Sequence, residues 1–143
     1  MTKTAGFSDF EKEAMRQRAA ELRKEQSNKG SKKNGEADVL EKISEMSDQE
    51  AVIATNLHQL VKTIAPNLSA KTWYSMPAYA NENGQVVIFF QAASKFKTRY
   101  ATIGFSDLAH LDENDLWPTS YAITEWNSSV SKTLTKLIQR AVA

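Results

Sequence analysis

The run Val86-Val87-Ile88-Phe89-Phe90, set close behind Asn83-Gly84, constrains this chain more than any other stretch. Three β-branched and two aromatic residues in a row leave a strand no polar face for water. The segment therefore belongs in the middle of a sheet, covered on both sides. Asn and Gly both tolerate positive φ, which makes Asn83-Gly84 a hairpin signal and Met76–Ala80 the strand before it. Beyond the central strand, Lys97–Phe105 alternates, with Ala101, Ile103 and Phe105 on one face and Thr98, Tyr100 and Thr102 on the other. Thr119–Thr124 reads as a further strand. All three Trp and all four Tyr fall between positions 73 and 126, so the strand-rich half of the core lies there.

The flanking segments follow a helical period. Ser8-Asp9-Phe10-Glu11 has the form of a capping box, and helix formers continue to about Gln26. The apolar stripe of that helix is thin (Phe10, Ala14, Met15, Leu22), so it is expected to dock weakly, pair with a partner or fray. Ser27–Gly35 reads as a Gly/Ser/Lys linker with nothing apolar to bury. A second helix is predicted over Ala37–Met46, burying Val39, Leu40, Ile43 and Met46. Ser47-Asp48-Gln49-Glu50 is another capping box and opens a third helix with the stripe Ile53, Leu57, Leu60, Ile64, stopped by Pro66. Ser106–Leu111 reads as a short helical turn. Ser128 or Ser129 caps a last helix that buries Val130, Leu134, Leu137, Ile138 and Ala141. Helices at both ends of a run of strands imply an α+β fold, an antiparallel sheet with helices packed on one face. Residues 1–35 form a charged helical arm and linker, and residues 36–143 the domain.

Composition excludes several classes. The 143 residues include no cysteine, which removes disulfides, thiolate catalysis, Fe–S clusters and Cys-type zinc sites. No stretch approaches the ~20 apolar residues of a membrane span, and the charged start lacks the apolar run of a signal peptide. The reading is a soluble, cytoplasmic protein. Residues 1–35 carry nine Lys/Arg against five Asp/Glu and the rest nine against twelve, so the arm is mildly basic and the domain mildly acidic. Neither reaches the bias of a dedicated nucleic-acid binder.

Trp73-Tyr74-Ser75-Met76-Pro77-Ala78-Tyr79, the Val86–Phe90 strand, Lys95–Phe105 and Leu116-Trp117-Pro118-Thr119-Ser120-Tyr121-Ala122-Ile123-Thr124-Glu125 together resemble the YdhG-like family, a bacterial domain of unknown function. Tyr-x-Met-Pro-x-Tyr is the most specific part. The resemblance runs from about Asp38 to the C-terminus and implies an α+β fold in a small cytosolic protein. One branch of that family includes a frataxin-like iron chaperone, so the resemblance implies iron as a candidate cofactor without placing it on residues.

The residues themselves offer three constellations. Trp73, Ser75, Pro77 and Tyr79 share a face if the strand is regular, and Pro77, which has no N–H, places that strand at an edge or a bulge. With Lys97, Arg99, Tyr100 and Tyr121, Trp73 and Tyr79 are candidates for an aromatic sheet face holding a small anionic or aromatic ligand or a partner segment. The competing reading is that the rings cover the sheet and bond their hydroxyls to the backbone. Asp112, Glu113 and Asp115, with Asp107 and His110 nearby, carry oxygen and imidazole donors suited to iron, manganese or magnesium, at a spacing that matches no metal motif. Asp107 is better explained by the first turn of a helix, and the rest of the cluster by a solvated loop. The interleaved Lys95–Tyr100 run and the Lys29–Lys33 cluster are a weak nucleic-acid signal. His58, beside the third helix's stripe, reads as a flanking surface residue. No Ser-His-Asp order, phosphate loop or His-Glu-x-x-His string occurs, so the chain reads as a non-catalytic binding module.

Overall fold

The computed structural model describes residues 9–27 and 32–143, with side chains over 11–23 and 35–143. Helices α1 (Asp9–Ser27), α2 (Lys32–Ser44) and α3 (Asp48–Ile64) precede strands β1 (Ser69–Trp73), β2 (Met76–Ala80) and β3 (Val86–Gln91). A one-turn helix α4 (Ala93–Phe96), strands β4 (Ala101–Phe105) and β5 (Ser120–Ile123), and helix α5 (Ser128–Ala141) complete the chain. The strands form an antiparallel meander in the order β1-β2-β3-β4-β5, so the two-faced apolar run is the middle strand, as its composition demands. The fold is α+β.

Register assigns the faces. Tyr79 pairs with Ile88, Ile88 with Phe105, Phe90 with Ile103 and Ala101 with Ile123, and this face meets α2, α3 and α5. Val39 and Ile43 of α2, Leu57 and Val61 of α3, and Leu134 and Ile138 of α5 supply the helical side of the core. Each such buried side chain contributes about 1.5–3 kcal/mol, well beyond the ~1 kcal/mol of a helix cap. Packing therefore fixes α5, and its cap only trims the end. That cap is Asn127, whose side chain accepts from the Val130 N–H at 2.9 Å, in place of Ser128 or Ser129.

The other sheet face carries Lys71 and Trp73 of β1, Met76 and Ala78 of β2, and Phe89 of β3. The Phe89 ring lies over Gly104, where an added Cβ would come within 2.2 Å of the ring. Trp73 meets Phe89 edge to face at 5.4 Å between ring centres.

Several local expectations need correction. The aromatic segment is two strands rather than one, because Trp73 pairs with Met76 across a two-residue turn at Tyr74-Ser75. Trp73 consequently faces away from Pro77 and Tyr79. β2 is internal, not an edge, and the irregularity in its pairing falls between Tyr79 and Ala80 rather than at Pro77. Pro77 is tolerated because it follows the closing pair of the hairpin, where the β1 ladder asks for no N–H, and the ladder to β3 begins only at Ala78. Ser8 and residues 28–31 of the expected linker lie outside the described residues, whereas Ser27 ends α1 and residues 32–35 open α2. Gly35, taken as linker, is inside α2, where a Cβ would sit 2.2 Å from the Ala70 carbonyl oxygen. Glycine there lets the first turns of α2 lie directly on β1. The Lys97–Tyr100 stretch is not strand: Lys97 ends α4 in the left-handed conformation at φ 57°. Ser106–Leu111 is a turn without a helix, in which the Leu108 N–H bonds the Ser106 hydroxyl, so Asp107 has no helix dipole to meet.

Candidate functional site

The most unusual backbone in the molecule sits in the aromatic motif. Tyr74 (φ 52°) and Ser75 (φ 63°) both adopt positive φ, the requirement of a type I′ hairpin turn usually met by Asn-Gly. Side chains raise the energy of that conformation, and its presence at two adjacent residues means the surroundings enforce it. The enforcing group is a carboxylate. The Tyr74 N–H donates to Glu21 Oε1 at 2.5 Å, and the Ser75 N–H donates to the other oxygen, Oε2. Glu21 is only 5% exposed although it belongs to the polar helix α1. Arg18, one turn earlier, approaches Glu21 at 3.5 Å and holds its guanidinium 5.5 Å from the centre of the Tyr74 ring.

A second α1 side chain reaches the same place. Gln17 Oε1 accepts from the Ser75 hydroxyl at 2.8 Å and from Lys95 Nζ at 3.1 Å. Among the described side chains of α1, polar groups make this contact, while Met15 and Leu22 remain about half exposed at 50% and 48%. The docking that the thin stripe left open is made by a carboxylate and an amide seated on a turn.

Beside this contact is a cavity of about 250 Å³. Met46, Met76, Pro77, Phe90 and Ala92 give it an apolar floor. Its rim carries Lys42 and Lys95, with Ser75, Ser94 and Glu45. Lys42 also lies 3.6 Å from Glu45, which leaves the rim with an excess of one positive charge. Glu50 does not line the cavity but holds Ser94, which does: it accepts from the Ser94 N–H at 2.8 Å and the Ser94 hydroxyl at 2.6 Å, and completes the Ser47 cap. Burial pushes its carboxyl up, but the Ser94 and Ser47 hydrogen bonds outweigh this and hold it below the usual value.

The six aromatic and basic candidates are not brought together. Tyr79 is 1% exposed on the helix-covered face. Tyr121 is half-buried on that same face at β5, edge to face with Phe105 at 6.0 Å. Trp73 is on the opposite face. Lys97 and Arg99 are exposed beyond α4, with the Arg99 guanidinium 5.1 Å from the Tyr100 ring centre. Asp112, Glu113 and Asp115 are exposed on a loop, and among the described residues no three His, Asp or Glu side chains converge to hold a metal. Of the basic run, only Lys95 enters the cavity.

The sequence reading missed one buried network. His58 is 1% exposed, not a surface residue. Its Nε2 meets Glu36 Oε2 at 2.8 Å and its Nδ1 meets Tyr79 Oη at 2.9 Å, while Lys62 Nζ donates to the same Glu36 oxygen at 2.7 Å. An ionised carboxylate only accepts, so Nε2 carries a hydrogen, and in the neutral ring Nδ1 then accepts from the Tyr79 hydroxyl. The bonds from Lys62 and His58 hold the Glu36 carboxyl below its usual value, and burial together with the Glu36 charge raises Tyr79. The missed signal was the period Glu50, Ala54, Leu57/His58, Val61, Ala65, which defines the buried side of α3 better than Leu60 and Ile64 do. Because both ring nitrogens are engaged, this network ties α2, α3 and β2 together.

Among the described residues no helix is long and apolar enough to cross a membrane. Compared with known proteins, the chain matches no family model, no curated protein and no solved structure.

Proposed function

We propose that the chain is a non-catalytic binding module for a small organic anion with an apolar body, seated in the cavity beside the β1–β2 turn. One observation carries the reading: two ammonium groups, Lys42 and Lys95, stand at the rim of an apolar floor made by Met46, Met76, Pro77, Phe90 and Ala92. A pocket of that composition buries an aryl or alkyl group and pairs its charge, the usual division of labour in small-ligand sites. Ser75 and Ser94 stand at the same rim, with their hydroxyls donated to Gln17 and Glu50. The most specific part of the family resemblance is the Tyr74–Tyr79 string, and three of its residues, Ser75, Met76 and Pro77, line this cavity.

Benzoate, with benzamide as its uncharged counterpart, tests the reading by amide NMR titration of the full chain. Saturable shifts at Met76, Ala92 and Lys95 with benzoate, weakened in Lys42→Met and Lys95→Met, are expected. Equal response to benzamide, or no response at these positions, overturns it.

A further inference from the structure

The Glu21 contact has the form of ligand recognition rather than of helix packing. One carboxylate is held by two consecutive backbone N–H groups, one on each oxygen, at a turn whose positive φ values aim both donors to the same side. Such paired N–H groups act as a receptor for carboxylates in general, because they read only charge and geometry. Among the described residues of that helix, Met15 and Leu22 are about half exposed, and Gln17 and Arg18 join Glu21 at this corner.

We propose that the Tyr74–Ser75 turn is a carboxylate-binding subsite, and that α1 is its built-in, displaceable occupant. This rests on the proposed function in that the same corner serves the cavity: when α1 leaves, Gln17 goes with it. That releases the Ser75 hydroxyl and Lys95 Nζ, the two donors it now engages, to the ligand. The turn then takes the ligand's carboxylate in place of Glu21, and the cavity takes its apolar body. While α1 is seated, only a fraction of molecules is open, and the apparent affinity falls by that fraction. The arm is therefore an internal competitor that sets the threshold for the ligand. Exchange of one carboxylate for another conserves the number of charge-assisted bonds, which is why displacement is feasible where removal of a buried apolar helix is not.

The test compares the full chain with Glu21→Gln, whose amide presents an NH₂ where the second N–H needs an acceptor. Acetate is the first probe, since it carries a carboxylate and almost no body and reports on the turn alone. The expected result is saturable movement of the Tyr74 and Ser75 amides in Glu21→Gln, with at least a ~tenfold weaker response in the wild type. Benzoate is the second probe and should show the same gain at Tyr74 and Ser75. Acetate responses at Tyr74 and Ser75 that are equal in the two proteins, or absent from both, overturn the proposal whatever benzoate does at the cavity. Benzoate shifts at Met76 and Lys95 with no effect of Glu21→Gln leave the cavity reading standing and remove the arm from it. Acetate binding at the turn in Glu21→Gln without any benzoate response at the cavity supports the subsite and removes the cavity reading. Because Glu21 lies outside the helix–sheet core, spectra of the two proteins away from α1 and the turn should overlay, which guards against a folding artefact.

Discussion

Replacing Tyr79 by Phe isolates the energetics of the buried network. The ring stays in place between β2 and α3, and only Oη is removed. His58 Nδ1, in a residue 1% exposed, then loses its donor at 2.9 Å. Stranding one partner of a buried pair costs about 1–3 kcal/mol. A cavity of about 170 Å³ lined by Glu36, His58, Lys62 and Tyr79 adjoins the site and is large and polar enough for a water to reach the orphaned nitrogen. That places the expected loss in the lower half of the range, about 1–2 kcal/mol, or roughly 3–6 °C in Tm for a chain of this size. Urea unfolding followed by circular dichroism measures it, with an unchanged slope showing that compactness is preserved. His58→Leu alone should cost more, because it strands Tyr79 Oη and removes one of the two donors to Glu36 Oε2. The double variant should be less destabilised than the sum by about 1 kcal/mol or more. A Tyr79→Phe variant within about 0.5 kcal/mol of wild type, or strict additivity in the cycle, would refute the view that this contact couples α3 to β2.

The carboxyls of Glu36 and Glu50 are both held below their ordinary value of 4.5. Their contribution is therefore complete above that value and is lost as pH falls through the lowered folded values. Glu36→Gln should lower stability at neutral pH and make acid unfolding less steep, as read by melts across the acid range. Tyr79, raised by burial, should stay protonated until the fold opens, so stability declines above about pH 10 as only the unfolded chain ionises this group. In a spectrophotometric titration the Tyr79 phenolate should appear together with unfolding. Gly35→Ala should destabilise even though alanine favours helices by about 1 kcal/mol, because the new methyl meets the Ala70 carbonyl; a raised Tm would show that α2 is free to shift. Gly104→Ala should cost about 1–2 kcal/mol through the Phe89 ring above it and much less in a Phe89→Ala background, which thermal melts of the three variants can check.

The middle strand, the helical periods and the Ser47 cap were legible in the sequence because each is a local pattern set by burial or by a single hydrogen bond. The Asn81–Gly84 loop was legible for the same reason, with Gly84 at φ 78° and Asn81 Oδ1 accepting from the Asn83 and Gln85 N–H groups. His58 was misjudged because a polar residue on the flank of a stripe reads as surface unless its partners are known. Those partners lie 21 and 22 residues away, on β2 and α2. The proposed cavity was partly legible: Ser75, Met76, Pro77 and Lys95 all stood in conspicuous segments, but nothing local joined them to Lys42 or Gln17.

The sequence by itself determined that this chain is a cysteine-free α+β domain built on a two-faced central strand, since hydrophobic period and turn chemistry act over a few residues. The tertiary structure alone decided that Trp73–Ala80 folds back on itself at Tyr74-Ser75. No Asn or Gly announces that turn. Its positive φ values are held by a carboxylate contributed more than fifty residues earlier, and such a contact exists only once α1 and the sheet have met.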